Sequence, residues 1–184
     1  MDVVLEYWDG DSYEEVTSET KLFNDAALWE PGYTEVAYLK VSNAGSLALK
    51  YQMGVTVLNE SVGKTKTNAD INLSEHLQFK VVESDSDLAE YASREDALNA
   101  NVTASKLQNY NSSFKPLAPK SENGDNYNDY DYIALIVYMV ASRKRLQTIP
   151  LMMSKMRMAI LCWRLTISQQ DNNSLYPVLQ MKLI

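Results

Sequence analysis

His76 is the only histidine of the chain and Cys162 the only cysteine. An imidazole next to Glu75 can serve as a general base, but it needs a nucleophile in a recognisable elbow or Cys-His setting, and the sequence supplies none. Zinc peptidases of the HExxH kind need two histidines on one helix face, so that chemistry lacks its ligands; a single thiol forms no internal disulfide. Glu14, Glu15, Glu30 and Glu35 are the carboxylates from which a glycoside-hydrolysing pair would have to be built, and a solvated acidic face is the plainer reading. Asp125, Asp129 and Asp131, with Asn126 and Asn128 between them, suit a weak calcium loop, yet the EF-hand ligand order and its closing Glu are missing. Gly63-Lys64-Thr65 is half a phosphate loop, because Leu58 stands where GxxxxGK requires its first glycine. Asn59, Asn101, Asn111 and Asn172 open glycosylation sequons, which matter only on a eukaryotic secretory route. No catalytic, cofactor-binding or metal-binding residue is assigned on this basis, no cofactor is expected, and the chain reads as a non-enzyme. The remaining chemistry is aromatic: Tyr7, Trp8, Trp29, Tyr33 and Tyr38 can line an interface, or pack inward with their hydroxyls at the rim.

The elements that would position these groups read as strands. Asp2 to Trp8 alternates Val4, Glu6 and Trp8 against Val3, Leu5 and Tyr7, and stops at the turn signal Asp9-Gly10-Asp11. Glu35 to Ser42 and Leu47 to Leu58 alternate in the same style on either side of Asn43-Ala44-Gly45-Ser46. Leu77 to Val82 and Tyr130 to Met139 complete the set; apolar residues on both faces of Asp2 to Trp8 suit a strand deep in a sandwich. Between Ser84 and Leu107 the spacing changes to one or two short helical turns, with Ser93 or Ser84 as cap. Residues 108 to 129, Asn-rich and broken by Pro116 and Pro119, read as a long surface loop that adds no core strand.

At 184 residues the chain is long enough for one domain or one and a half, and its formal net charge of -7 argues against nucleic acid as a partner. That average hides a division. Residues 1 to 139 hold 10 basic and 23 acidic residues, whereas residues 140 to 184 hold 7 basic and 1 acidic, along with five of the eight Met and no Gly. The tail is therefore compositionally foreign to the body, and Thr148 to Trp163, starting near Pro150, has the make-up of a basic amphipathic helix. No run of 18 apolar residues is present, so no membrane-spanning helix is expected. The first residues lack a basic segment followed by an apolar one, so any export signal would already have been removed.

The stretch from Thr20 to Tyr51, with its Pro31-Gly32 turn, the strand to Val41, the Asn43-Ala44-Gly45-Ser46 turn and the strand Leu47 to Val57, resembles the camelysin and TasA family of secreted Gram-positive surface and biofilm-matrix proteins. Tyr132 to Met139 resembles a later strand of that family, and Leu88 to Leu98 sits where its members carry a short helical insertion. The likeness covers about residues 1 to 139 and is strongest over 20 to 58. It implies a secreted jelly-roll sandwich, exported through a signal peptide cut by a dedicated peptidase, with fibre-forming members that grow by strand donation. Asp2 to Trp8 is the segment that fits the donor role, against the alternative that it pairs within its own domain. Some members have been called metallopeptidases, an activity for which this chain lacks a zinc motif. After Met139 the family pattern of a Pro, a Gly-Asn loop and a closing strand gives way to Val140-Ala-Ser-Arg-Lys-Arg, where the composition also breaks; a reading-frame shift or altered gene end would explain both.

The expected fold is therefore all-β: an antiparallel jelly-roll-like β-sandwich over 1–139 with a short helical insertion, lacking its last strand, followed by an atypical helical or disordered tail over 140–184. The expected function is that of a noncatalytic extracellular or cell-surface structural protein, assembling into surface or matrix fibres with itself or related subunits by backbone pairing. Cell-wall or surface association fits, and nucleic acid and a membrane span do not. The alternatives are a monomeric adhesion or binding module that uses exposed aromatics, and, behind it, a metallo-endopeptidase.

Overall fold

A computed structural model of the chain describes residues 3–17, 19–24, 29–64, 68–100, 105–106, 110–120, 128–140, 161–171 and 174–183. Among them run β1 (Val3–Trp8), β2 (Tyr13–Glu15), β3 (Thr34–Asn43), β4 (Leu49–Glu60), β5 (Gly63–Lys64), β6 (Asp70–Ile71) and β7 (Leu77–Ser84). They are followed by β8 (Ser105–Lys106), β9 (Tyr110–Asn111), β10 (Lys115–Leu117), β11 (Tyr130–Met139), β12 (Leu161–Asp171) and β13 (Ser174–Leu183). One helix, α1 (Arg94–Leu98), and a 3-10 turn, Leu73–Glu75, complete the described elements. Every pairing among the described residues is antiparallel. The first sheet has the order β2-β1-β3-β11-β7-β8, the second has β10-β4-β12-β13 with β9 also on β4, and β5 pairs with β6.

The period-two pattern explains the arrangement. Val3 and Leu5 of β1, Leu39 and Val41 of β3, Ile133, Leu135 and Val137 of β11, and Leu77 and Phe79 of β7 are buried in one cluster with Leu49, Tyr51, Met53 and Val55 of β4. That cluster joins the two large sheets, and each such side chain contributes about 1.5–3 kcal/mol by leaving water. The other face of β11 is covered as well, since Ala134 and Ile136 are fully buried. Over that face the 91–100 segment is tied to both neighbouring strands: the Tyr91 N–H donates to the Tyr38 hydroxyl (2.7 Å), Arg94 Nε to the Thr34 hydroxyl (3.0 Å), and Lys80 Nζ to the Leu98 carbonyl (2.5 Å). Ser93 caps α1 by accepting the Asp96 N–H at 3.2 Å, as the sequence pattern predicts.

The turns are equally specific. Asp9 accepts the N–H groups of Asp11 and Ser12 at 2.8 and 3.0 Å, which holds its carboxyl below the usual range, and Gly10 takes a φ of 110° between β1 and β2. Buried Asn43 organises the β3–β4 turn: its amide donates to the carbonyls of Leu47 (2.8 Å) and Ala118 (2.7 Å), and its side-chain oxygen accepts the Gly45 N–H (2.9 Å).

Two expectations need correction. Residues 108–129 do contribute to the core: β9 and β10 pair with β4, and Leu117 is fully buried. Pro116 is tolerated there because β10 is an edge strand. The tail is neither helical nor disordered over 161–171 and 174–183. β12 pairs along β4 from Leu161↔Glu60 to Gln170↔Lys50, and β13 pairs with β12, so the tail contributes two strands to the second sheet. Trp163, Leu165 and Ile167 alternate with Arg164, Thr166 and Ser168, a period of two that outweighs the helical spacing upstream. Of the proposed helix Thr148 to Trp163, residues 148–160 lie outside the described residues and 161–163 are strand.

Candidate functional site

Pairing register assembles an aromatic and charged surface on the side of the first sheet away from the shared core. Trp8 stands opposite Tyr13 across β1 and β2, Glu6 opposite Lys40 across β1 and β3, and Lys40 opposite Tyr132 across β3 and β11. The rings follow one another: Trp8 to Tyr13 at 5.3 Å, Tyr13 to Tyr132 at 5.5 Å, and Tyr132 to Tyr130 at 5.5 Å between centroids. Lys40 lies within this row, its ammonium 6.0 Å from the Tyr13 ring centre and 5.8 Å from that of Tyr130, and 3.3 Å from Glu6.

The loop after β7 folds back onto this surface. The Tyr13 hydroxyl donates to Asp87 (3.1 Å) and the Trp8 indole N–H to Glu90 (2.8 Å). Between loop and sheet lies a groove of about 280 Å³, lined by Trp8, Tyr13, Tyr38, Asp87, Leu88 and Glu90. Burial, then Asp87, holds the Tyr13 phenol well above its ordinary pKa, and burial also raises Tyr38, so both are neutral hydroxyls around neutral pH. The groove can recognise a ligand by ring faces and two carboxylates; among the described residues no nucleophile–base pair lines it.

A second polar group is internal. The Tyr51 hydroxyl of β4 donates to Asp131 of β11 at 2.8 Å, both residues being buried, and Lys115 of β10 stands 4.0 Å from Asp131 and 3.1 Å from Glu83 of β7. Burial raises the Asp131 pKa, opposed by the Tyr51 hydrogen bond and Lys115. This network ties the two sheets together, and its buried carboxylate faces the interior.

The residues considered from sequence are dispersed. Trp8 and Tyr38 meet in the groove. Trp29 and Tyr33 instead pack edge to face at 5.1 Å, where burial and a 2.6 Å hydrogen bond to Glu35 push the Tyr33 phenol up to about 12. Tyr7 packs against the core. His76 is exposed and uses its backbone, donating to the Leu73 carbonyl (2.9 Å) and accepting from Val140 (3.2 Å). Glu14 and Glu15 lie on β2, Glu30 accepts the Tyr33 N–H through its carbonyl, and Glu35 is engaged by Tyr33 and the Asn24 N–H. Asp131 points to Tyr51 and Asp129 bonds the Asn43 N–H through its carbonyl, while Asp125 lies outside the described residues. Gly63 and Lys64 form β5, with Lys64 paired to Asp70. Asn59 and Asn111 are exposed; Asn101 and Asn172 lie outside the described residues. No group of three His, Cys, Asp or Glu side chains among the described residues is placed to hold a metal ion. Sequence reasoning missed Tyr13, Asp87, Leu88 and Glu90. A three-residue strand shows no period, and the loop's return across 74 residues to Tyr13 leaves no local signal.

No protein-family model matches this chain, and no curated protein matches it.

Proposed function

We propose that this protein is a noncatalytic structural protein of the cell surface or extracellular matrix that assembles with copies of itself, or related subunits, by backbone pairing at a sheet edge. The observation that carries this reading is the length of β13. The first sheet ends in β2, of three residues, and in β8, of two described residues; short edges discourage unwanted pairing in folded proteins. The second sheet ends in β13, ten residues whose described pairing is to β12 alone. Its regular stretch, Leu179–Leu183 beyond Pro177 and the adjoining register shift, is a template for another chain's strand.

The resemblance of residues 20–58 to the camelysin and TasA family supports the extracellular placement and the reading of the two large sheets as a jelly-roll-like β-sandwich. Strand donation by the first strand is the less favoured route, because β1 is held between β2 and β3 of its own sheet, in register from Val3↔Asn43 to Tyr7↔Leu39.

Light scattering and electron microscopy of the intact chain test the proposal, alongside Gln180→Pro and Met181→Pro. Successive residues of an antiparallel strand send their N–H groups to opposite edges, so one of these prolines removes an outward donor and the other an inward one. Concentration-dependent oligomers or fibres in the intact chain, lost in the folded outward-edge variant, are expected. A monomer at every concentration, or assembly unchanged in both variants, contradicts the proposal.

A further inference from the structure

The groove between the first sheet and the 85–91 loop presents more negative charge than its own contacts neutralise. Each carboxylate has one oxygen positioned by a neutral donor, Asp87 by the Tyr13 hydroxyl at 3.1 Å and Glu90 by the Trp8 indole at 2.8 Å. A neutral donor fixes a carboxylate in place without cancelling its charge. Among the described residues no lysine, arginine or histidine forms an ion pair with either group, and both are exposed. Around them stand the electron-rich rings of Trp8, Tyr13 and Tyr38, with Leu88 alongside. Ring faces and two uncompensated carboxylates attract an organic cation and repel an anion. A purely apolar ligand would strip water from both charges without replacing it.

The same sheet face already holds one such cation. Lys40 lies at 6.0 and 5.8 Å from the Tyr13 and Tyr130 ring centres while pairing with Glu6 at 3.3 Å, an ammonium held jointly by rings and a carboxylate. The groove repeats that combination with no lysine among its described lining residues. Its volume of about 280 Å³ accommodates a four-carbon stem, and the exposure of Asp87 and Glu90 lets the backbone that bears the stem remain outside. The excess of acidic over basic residues in 1–139, 23 against 10, favours approach of a basic partner.

We propose that this groove binds a lysine side chain of a partner peptide, with the alkyl stem along Trp8, Tyr13 and Leu88 and the ammonium at Asp87 and Glu90. The proposal is independent of edge pairing and involves a different sheet.

The test is an NMR titration of the intact protein that follows the Trp8 indole N–H, assigned by its loss in Trp8→Phe. The probes are blocked Gly-Gly-Lys-Gly-Gly and its norleucine counterpart. A saturable shift with the lysine peptide in the millimolar range is expected, weaker by about tenfold for the norleucine peptide and for the lysine peptide with Asp87→Asn/Glu90→Gln. Both substitutions are at exposed positions and keep an acceptor for Tyr13 and Trp8, and retained spectral dispersion reports that the variant is folded. Equal shifts from the two peptides, unchanged binding by the double variant, or no shift up to about 20 mM peptide would overturn the proposal.

Discussion

Two tyrosine–carboxylate hydrogen bonds join distant parts of this chain, Tyr51 to Asp131 across 80 residues and Tyr13 to Asp87 across 74. The first is buried between the two large sheets, and the second lies at the surface of one. Inside, the carboxylate is cut off from water, its ionised form is disfavoured, and the hydroxyl that faces it compensates for lost solvation. At the surface the carboxylate keeps its water, so the hydroxyl orients it and leaves its charge available. The same chemical pair thus fastens the fold in one place and shapes a recognition groove in the other, with burial making the difference.

The largest effect that separates the two regions is expected from Tyr51→Phe. It leaves Asp131 buried without its donor and should cost about 1–3 kcal/mol in denaturant unfolding. Ser93→Ala should cost about 1 kcal/mol locally by uncapping α1, seen as faster amide exchange across 93–99 with little change in β11. Asp131→Asn retains an acceptor for Tyr51 and removes the buried charge, so neutral-pH stability should stay within about 1 kcal/mol of the parent. Its signature is the pH dependence. Because the folded pKa lies above the ordinary 3.8, the folded chain holds the Asp131 proton more tightly than the unfolded chain. That contribution is fully present below 3.8 and is lost as pH rises through the raised value, a downward slope absent from the Asn variant. The smallest effect is expected from Tyr13→Phe, within about 0.5 kcal/mol, since Asp87 is already hydrated. If Tyr13→Phe proved as costly as Tyr51→Phe, the distinction between the two regions would fail.

The strands with strong alternation were legible from sequence. Tyr130 to Met139 is a strand over the same span, and the β3 and β4 strands differ from expectation by a few residues at their ends. Leu117 was hidden because Pro116 and an Asn-rich surround signal a loop, whereas an edge position beside β4 lets a proline-containing strand form. Over 161–171 and 174–183 the tail was misread because the basic Met-rich segment before it drew attention from the alternation that begins at Trp163. The groove was half legible: Trp8 and Tyr38 stood out as aromatics, but only tertiary folding brings the 85–91 loop over β1 and β2.

Hydrogen–deuterium exchange on dilute and concentrated protein addresses the central claim most directly, because it locates the backbone that becomes paired on assembly. Edge pairing predicts that concentrating the protein slows exchange within Ser174–Leu183 while Val3–Trp8, paired to β3 over Val3–Tyr7 and to β2 over Glu6–Trp8, exchanges as before. New protection confined to Val3–Trp8, or none anywhere as concentration rises, would contradict it.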